Sequence, residues 1–176
     1  MSSPGLLDVL AGPPRPLSLV ELARVLGGLR WLELQGFERW GRLAIEPWDK
    51  AVAGWASGAS LAHAWRASQL EALLPVSVGL PSASQSTCPH SPELEETAAE
   101  TLPGDPVGPA PDGGKAERTT PADPLRLLGL LASAYRVRLA HPHQSADKPV
   151  LRVLSRLVSD VEFRLIETAE IFPLSG

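Results

Sequence analysis

Apolar residues recur along this chain in four runs, each at the spacing of one helix face. The first run is Leu22, Leu26, Leu29, Phe37 and Trp40. Ser18-Leu19-Val20-Glu21 precedes it and reads as a capping box, in which the serine hydroxyl takes the Glu21 amide and the glutamate reaches back to Ser18. The spacing predicts a helix from Ser18 to about Ala44. In the second run, Trp48, Val52, Trp55, Ala59, Leu70 and Leu73 share a face. Pro47 suits the first turn of that helix, which runs to Leu74 and is closed by Pro75. A third helix starts at Asp123-Pro124, with aspartate as cap and proline behind it, and continues to about Ala140. Arg136, Arg138 and His141 place cations at its C-terminal end, where the helix dipole favours them. Asp147 caps a fourth helix with the stripe Val150, Leu154, Leu157, Val161, Leu165 and Phe172.

Between the second and third runs the periodicity stops. Residues 76–121 are rich in Pro, Ser, Thr, Gly and Glu. From residue 80 to 121 they carry seven acids against Lys115 and Arg118, a balance of −5. Such a stretch buries too little apolar surface to offset its ordering entropy and is expected to be disordered. The chain therefore divides into a disordered N-terminal segment (1–17), a first helical hairpin (18–75), a disordered acidic linker (76–121) and a second hairpin (122–173). Two antiparallel hairpins joined by one long crossover make a single all-α domain, a four-helix bundle. A helix of this length spans roughly 40 Å, which the linker covers easily.

Polar residues on the inner faces carry whatever chemistry there is. On a wheel of about 100° per residue, Glu33 falls in the middle of the first stripe and Glu38 nearly opposite it. A carboxylate in that place is costly unless it is paired, protonated or bound to a metal. Arg66 lies near the centre of the second stripe and His63 on its flank. On the fourth helix Glu162 sits on the flank of the stripe, while Asp160 and Glu167 are expected to point away. Folding back about residues 45–47 puts Glu33 level with 58–60 and His63 about one turn beyond, so Glu33, His63 and Arg66 can meet inside the bundle.

A crossover bundle with an inward glutamate in LRWLELQGFERWG and a histidine in SLAHAWRASQL resembles the ferritin-like superfamily. The resemblance covers the two hairpins and leaves out the linker. It implies a di-iron carboxylate site, in which one Glu comes from each of two helices and a Glu-x-x-His pair from each of the others. Residue by residue, Glu33 matches the first glutamate and His63 the first histidine, but Ser60 stands where the partner glutamate belongs. No acid lies between Asp123 and Asp147, and Phe163 and Leu165 occupy positions where the fourth helix would need its histidine. The surviving ligands for iron or manganese are Glu33, His63 and Glu162. Arg66 competes with a metal cation for the same carboxylate. A metal-free Glu33–Arg66–His63 cluster is thus the expected arrangement.

Charge and composition narrow the function classes further. A net charge of −4 gives no basic excess for binding nucleic acid. Cys88 is the one cysteine, which excludes an internal disulfide and a cysteine-based zinc cluster. No apolar stretch is long enough to span a membrane, and the N-terminus lacks the basic region of a signal peptide, so a cytoplasmic protein is expected. There is no glycine-rich phosphate loop, and His90, His141 and His143 have no partners at ligand spacing. Of the five tryptophans, Trp31 and Trp65 face away from their stripes and are candidate interface residues for a second copy or a protein partner. Three readings stand: a structural or interaction bundle with a degenerate site, a di-iron oxygenase or hydroxylase, and an adaptor that works through the acidic linker.

Overall fold

The structure, a computed structural model, describes residues 17–45, 50–75, 124–140 and 148–171. Every element among the described residues is a helix: α1 (Leu19–Ile45), α2 (Lys50–Glu71), α3 (Pro124–Ala140) and α4 (Lys148–Ile171). The linker 76–121, the caps Asp123 and Asp147, and Pro47, Trp48, Cys88, His90, His141, His143 and Phe172 lie outside the described residues. No helix among the described residues is long and apolar enough to cross a membrane.

The capping box opens α1 as its sequence predicts. Ser18 N–H donates to Glu21 Oε2 at 2.8 Å, and Glu21 N–H donates to Ser18 Oγ at 3.2 Å. Two of the helix's otherwise orphan amides are satisfied in this way, which contributes on the order of 1 kcal/mol.

Contacts between α1 and α2 pair rising residue numbers on one helix with falling numbers on the other. Arg30 meets Glu71, Phe37 meets Ser60 and Trp40 meets Trp55. The approach is close because small residues make it. A Cβ on Gly41 would lie 3.1 Å from Ser60 Oγ, and that hydroxyl donates to the Phe37 carbonyl at 2.8 Å. A phenyl ring has no room in such a seam. Phe37, expected on the inner stripe, is 43% exposed, and Gly36 is buried in its place.

The core has two apolar parts. The larger joins all four helices through Leu26, Leu29, Leu32, Leu70, Leu131, Leu154 and Leu157, among others. Trp31, expected to face outward, packs half-buried against this part. The smaller part is Trp40, Leu43, Trp55, Ala56 and Ala59. Its two indoles meet edge to face, with ring centres 4.7 Å apart and planes at 80°. Trp55 Nε1 also donates to Thr168 Oγ1 at 3.1 Å, which ties α2 to α4. A layer of polar side chains lies between the two parts.

Candidate functional site

Each of the four helices sends a side chain into that polar layer. Glu33 comes from α1, His63 and Arg66 from α2, Tyr135 from α3 and Asp160 from α4. Glu33, His63, Arg66 and Tyr135 are all essentially without solvent contact. His63 and Arg66 are one turn apart, so both reach the same carboxylate.

The geometry is a chain of charge-assisted hydrogen bonds. Arg66 Nε–H donates to Glu33 Oε1 at 2.9 Å, and Arg66 Nη1–H donates to Asp160 Oδ2 at 2.5 Å. The guanidinium therefore bridges two carboxylates on two helices, which its planar fork does and a lysine cannot. Tyr135 donates its hydroxyl to Glu33 Oε1. His63 Nδ1 lies 2.6 Å from Glu33 Oε2 and 3.0 Å from Arg66 Nη2.

Protonation states follow from the surroundings. Burial pushes the Glu33 carboxyl up, but the Arg66 charge and the hydrogen bonds from His63 and Arg66 outweigh it and hold it below its ordinary 4.5. An ionised Glu33 accepts, so His63 Nδ1 carries the proton and donates. The Arg66 Nη2 contact is then donor against donor and not a hydrogen bond. Burial lowers the His63 pKa most, and the nearby Arg66 charge lowers it further, against the pull of Glu33. His63 is thus a neutral imidazole protonated on Nδ1. Burial raises the Tyr135 pKa well above 10, with the Glu33 charge adding to it. Arg66 is pushed down by burial but raised overall by Glu33, so it stays charged.

These shifts predict the acid side of the stability curve. His63 and Glu33 both have folded pKa values below their unfolded ones. Their contribution is complete above about 6.5, and as pH falls the unfolded chain takes up each proton first. Each coupled proton removes up to about 1.4 kcal/mol per pH unit. The urea midpoint should fall as pH drops below about 6.5, where His63 couples, and further below about 4.5, where Glu33 does, and His63→Gln should remove the upper of the two losses. A wild-type midpoint that is flat down to about pH 5 would show that His63 is charged in the fold. Tyr135 acts at the other end, where stability is lost as pH rises above 10.

The structure brings together some of the residues that the sequence singles out. Glu33 and His63 come together as expected, with Arg66 beside them. Glu162 does not join them: it pairs with Arg136 of α3 at 2.5 Å on the surface, both side chains largely exposed. The inward acid of α4 is Asp160, which the sequence pattern points away from the core. It lies three residues after Leu157, on the edge of the stripe that faces α2, and Arg66 draws it in. Sequence reasoning also missed Tyr135. It is the single tyrosine and falls at helical spacing from the buried Leu128, Leu131 and Ala132. That signal was readable.

The described residues around Glu33 do not fit a di-iron centre, which takes four carboxylates and two histidines. Arg66 uses one oxygen of Glu33 and stands between Glu33 and Asp160. Among the described residues no group of three or more His, Cys, Asp or Glu side chains is placed to hold a metal ion. The cleft beside the cluster, lined by Trp40, Trp55, His63, Leu128, Arg164 and Thr168, has room for roughly one water. Compared with protein-family models, curated proteins and solved structures, the chain matches none of them.

Proposed function

We propose that this chain is a ferritin-like four-helix bundle whose centre is closed by an internal cation, and that it serves as a structural or protein-interaction module. The observation that carries the reading is the Arg66 guanidinium. It lies between Glu33 and Asp160, where a di-iron protein would need its metals. A fixed positive charge does there what a bound cation would do. It neutralises buried carboxylates and ties helices together, with no open coordination position for oxygen or substrate.

The finer architecture belongs to the same reading. The contacts of α1 with α2 and of α2 with α4 both pair rising with falling residue numbers. That order favours an antiparallel first hairpin with α4 antiparallel to α2, and residues 76–121 would then form the crossover along the bundle. Glu33 with Tyr135 sets α1 beside α3, which completes a ring of four helices.

Elemental analysis of protein purified without chelators, beside a Glu33→Ala variant, tests this. Iron and manganese well below stoichiometric amounts in both are expected. Stoichiometric metal that disappears in Glu33→Ala would overturn the reading in favour of a di-iron oxygenase or hydroxylase.

A further inference from the structure

The outer face of α2 has an unusual pattern. Between Lys50 and Glu71 the only ionisable side chains of α2 are His63 and Arg66, and both are buried. The solvent side of the helix from residue 51 to 70 therefore carries no charge at all. Surface helices ordinarily place charged residues there. Directly opposite the buried stripe, the exposed positions are Gly54, Ser57, Leu61, Trp65 and Ser68. Leu61 is 68% exposed and Trp65 42%.

This stripe is symmetric about Leu61. Gly54 and Ser68 stand seven residues to either side, and Ser57 and Trp65 stand four. Steps of three and four keep all five positions on one face of the helix. Turned end for end, the stripe lays Leu61 on Leu61, each Trp65 over the small Ser57 of the other copy, and each Gly54 against Ser68. The largest side chain of the stripe, Trp65, thus meets a small one, as interdigitating helices need. The ends match in charge as well. Lys50 lies eleven residues before Leu61 and Glu71 ten after it, so an antiparallel copy brings the Lys50 of one chain level with the Glu71 of the other, an exposed carboxylate that also meets Arg30 of its own chain at 3.3 Å. An uncharged face with opposite charges at its two ends suits its own twofold image better than a charged partner.

We propose that α2 packs antiparallel against α2 of a second copy of this chain, about a twofold axis through Leu61. The proposal deepens the reading of the chain as an interaction module and rests on it. It names the partner as the chain itself, and it assigns Trp65, a residue type enriched among those that dominate binding energy, as the main anchor, with Leu61 on the axis beside it.

Light scattering on the full chain across a range of concentrations is the test. The wild type is expected to be a dimer. Leu61→Glu and Trp65→Glu are each expected to raise the dissociation constant by roughly 30-fold or more, with unchanged helical circular dichroism. In a Cys88→Ser background, Leu61→Cys should form a disulfide-linked dimer under mild oxidation. Ser68→Cys should not, because the two copies of that position lie about 20 Å apart along the axis. A wild type that stays monomeric overturns the proposal. So does a dimer that both glutamate variants leave intact, although self-association through another surface would then stand. Metal analysis of the same sample separates these results from a failure of the internal-cation reading, which stoichiometric metal would sink whatever the oligomer.

Discussion

Arg66→Ala should lower the stability of this protein by about 3–5 kcal/mol near neutral pH, the largest single-residue loss expected in the chain. The reason is what remains behind. Glu33 keeps its charge with no solvent contact, and Asp160 is left facing it. Removing one partner of a buried pair leaves the full desolvation cost of the other uncompensated. Arg66→Lys should recover only part of the loss, because an ammonium presents one point charge where the guanidinium bonds two carboxylates at 2.9 and 2.5 Å.

The same variant makes a sharper prediction about pH. In the wild type Arg66 is one of the influences that keep His63 neutral. Without it, Glu33 and Asp160 still favour the imidazolium, and water entering the vacated space lessens the burial penalty. The His63 pKa in the folded variant therefore moves up relative to the wild type, and His63 begins to serve as the missing cation. A group whose folded pKa rises contributes stability at lower pH and loses it as pH rises. The gap between wild type and Arg66→Ala should consequently narrow as pH falls from about 7 to about 5 in urea titrations. A gap that stays constant or widens would mean that Arg66 does not control the protonation of His63.

The order of the helices was legible because each begins or ends on a strong local signal. The capping box at Ser18 needed no tertiary information, and α1 starts where that signal puts it. Glu33 was legible for a different reason. A lone carboxylate at the centre of an apolar stripe has few places to go, and all of them are inside.

What lay on the edges of stripes was harder. Asp160 and Glu162 sit on opposite flanks of α4, and the wheel alone does not say which flank faces a cation. The answer depends on α2, whose Arg66 reaches Asp160, and on α3, whose Arg136 reaches Glu162. The register of α1 against α2 was also offset. Glu33 meets residues 63 and 66 directly, about one turn beyond the level that folding about residues 45–47 gives, since α1 continues to Ile45 and α2 starts at Lys50. Phe37 was misplaced because an apolar pattern counts hydrophobicity and not volume, and the seam between α1 and α2 admits only small residues there.

That seam is where the second large effect is expected. Gly36→Ala should destabilise the protein by about 2–4 kcal/mol, although alanine is the better helix former by about 1 kcal/mol. A Cβ on Gly36 would lie 2.5 Å from His63 Nδ1, 2.6 Å from Cε1 and 2.7 Å from Cγ. The whole ring edge is met, not the loose end of a flexible chain. His63 cannot retreat cheaply, because its Nδ1 is bonded to Glu33 at 2.6 Å and losing a hydrogen bond to a buried charge costs about 1.5–3 kcal/mol. The remaining response is to part α1 from α2, which loosens the reach of Arg66 to Glu33 as well. Gly129 of α3 provides the control: it is exposed with nothing near its missing Cβ, so Gly129→Ala should gain up to about 1 kcal/mol. Adding His63→Ala to Gly36→Ala should relieve the clash and leave the double variant less damaged than the sum of the two single ones. If Gly36→Ala instead follows Gly129→Ala upward in chemical denaturation, the ring is free to move, and the bond between His63 and Glu33 does not hold the layer together.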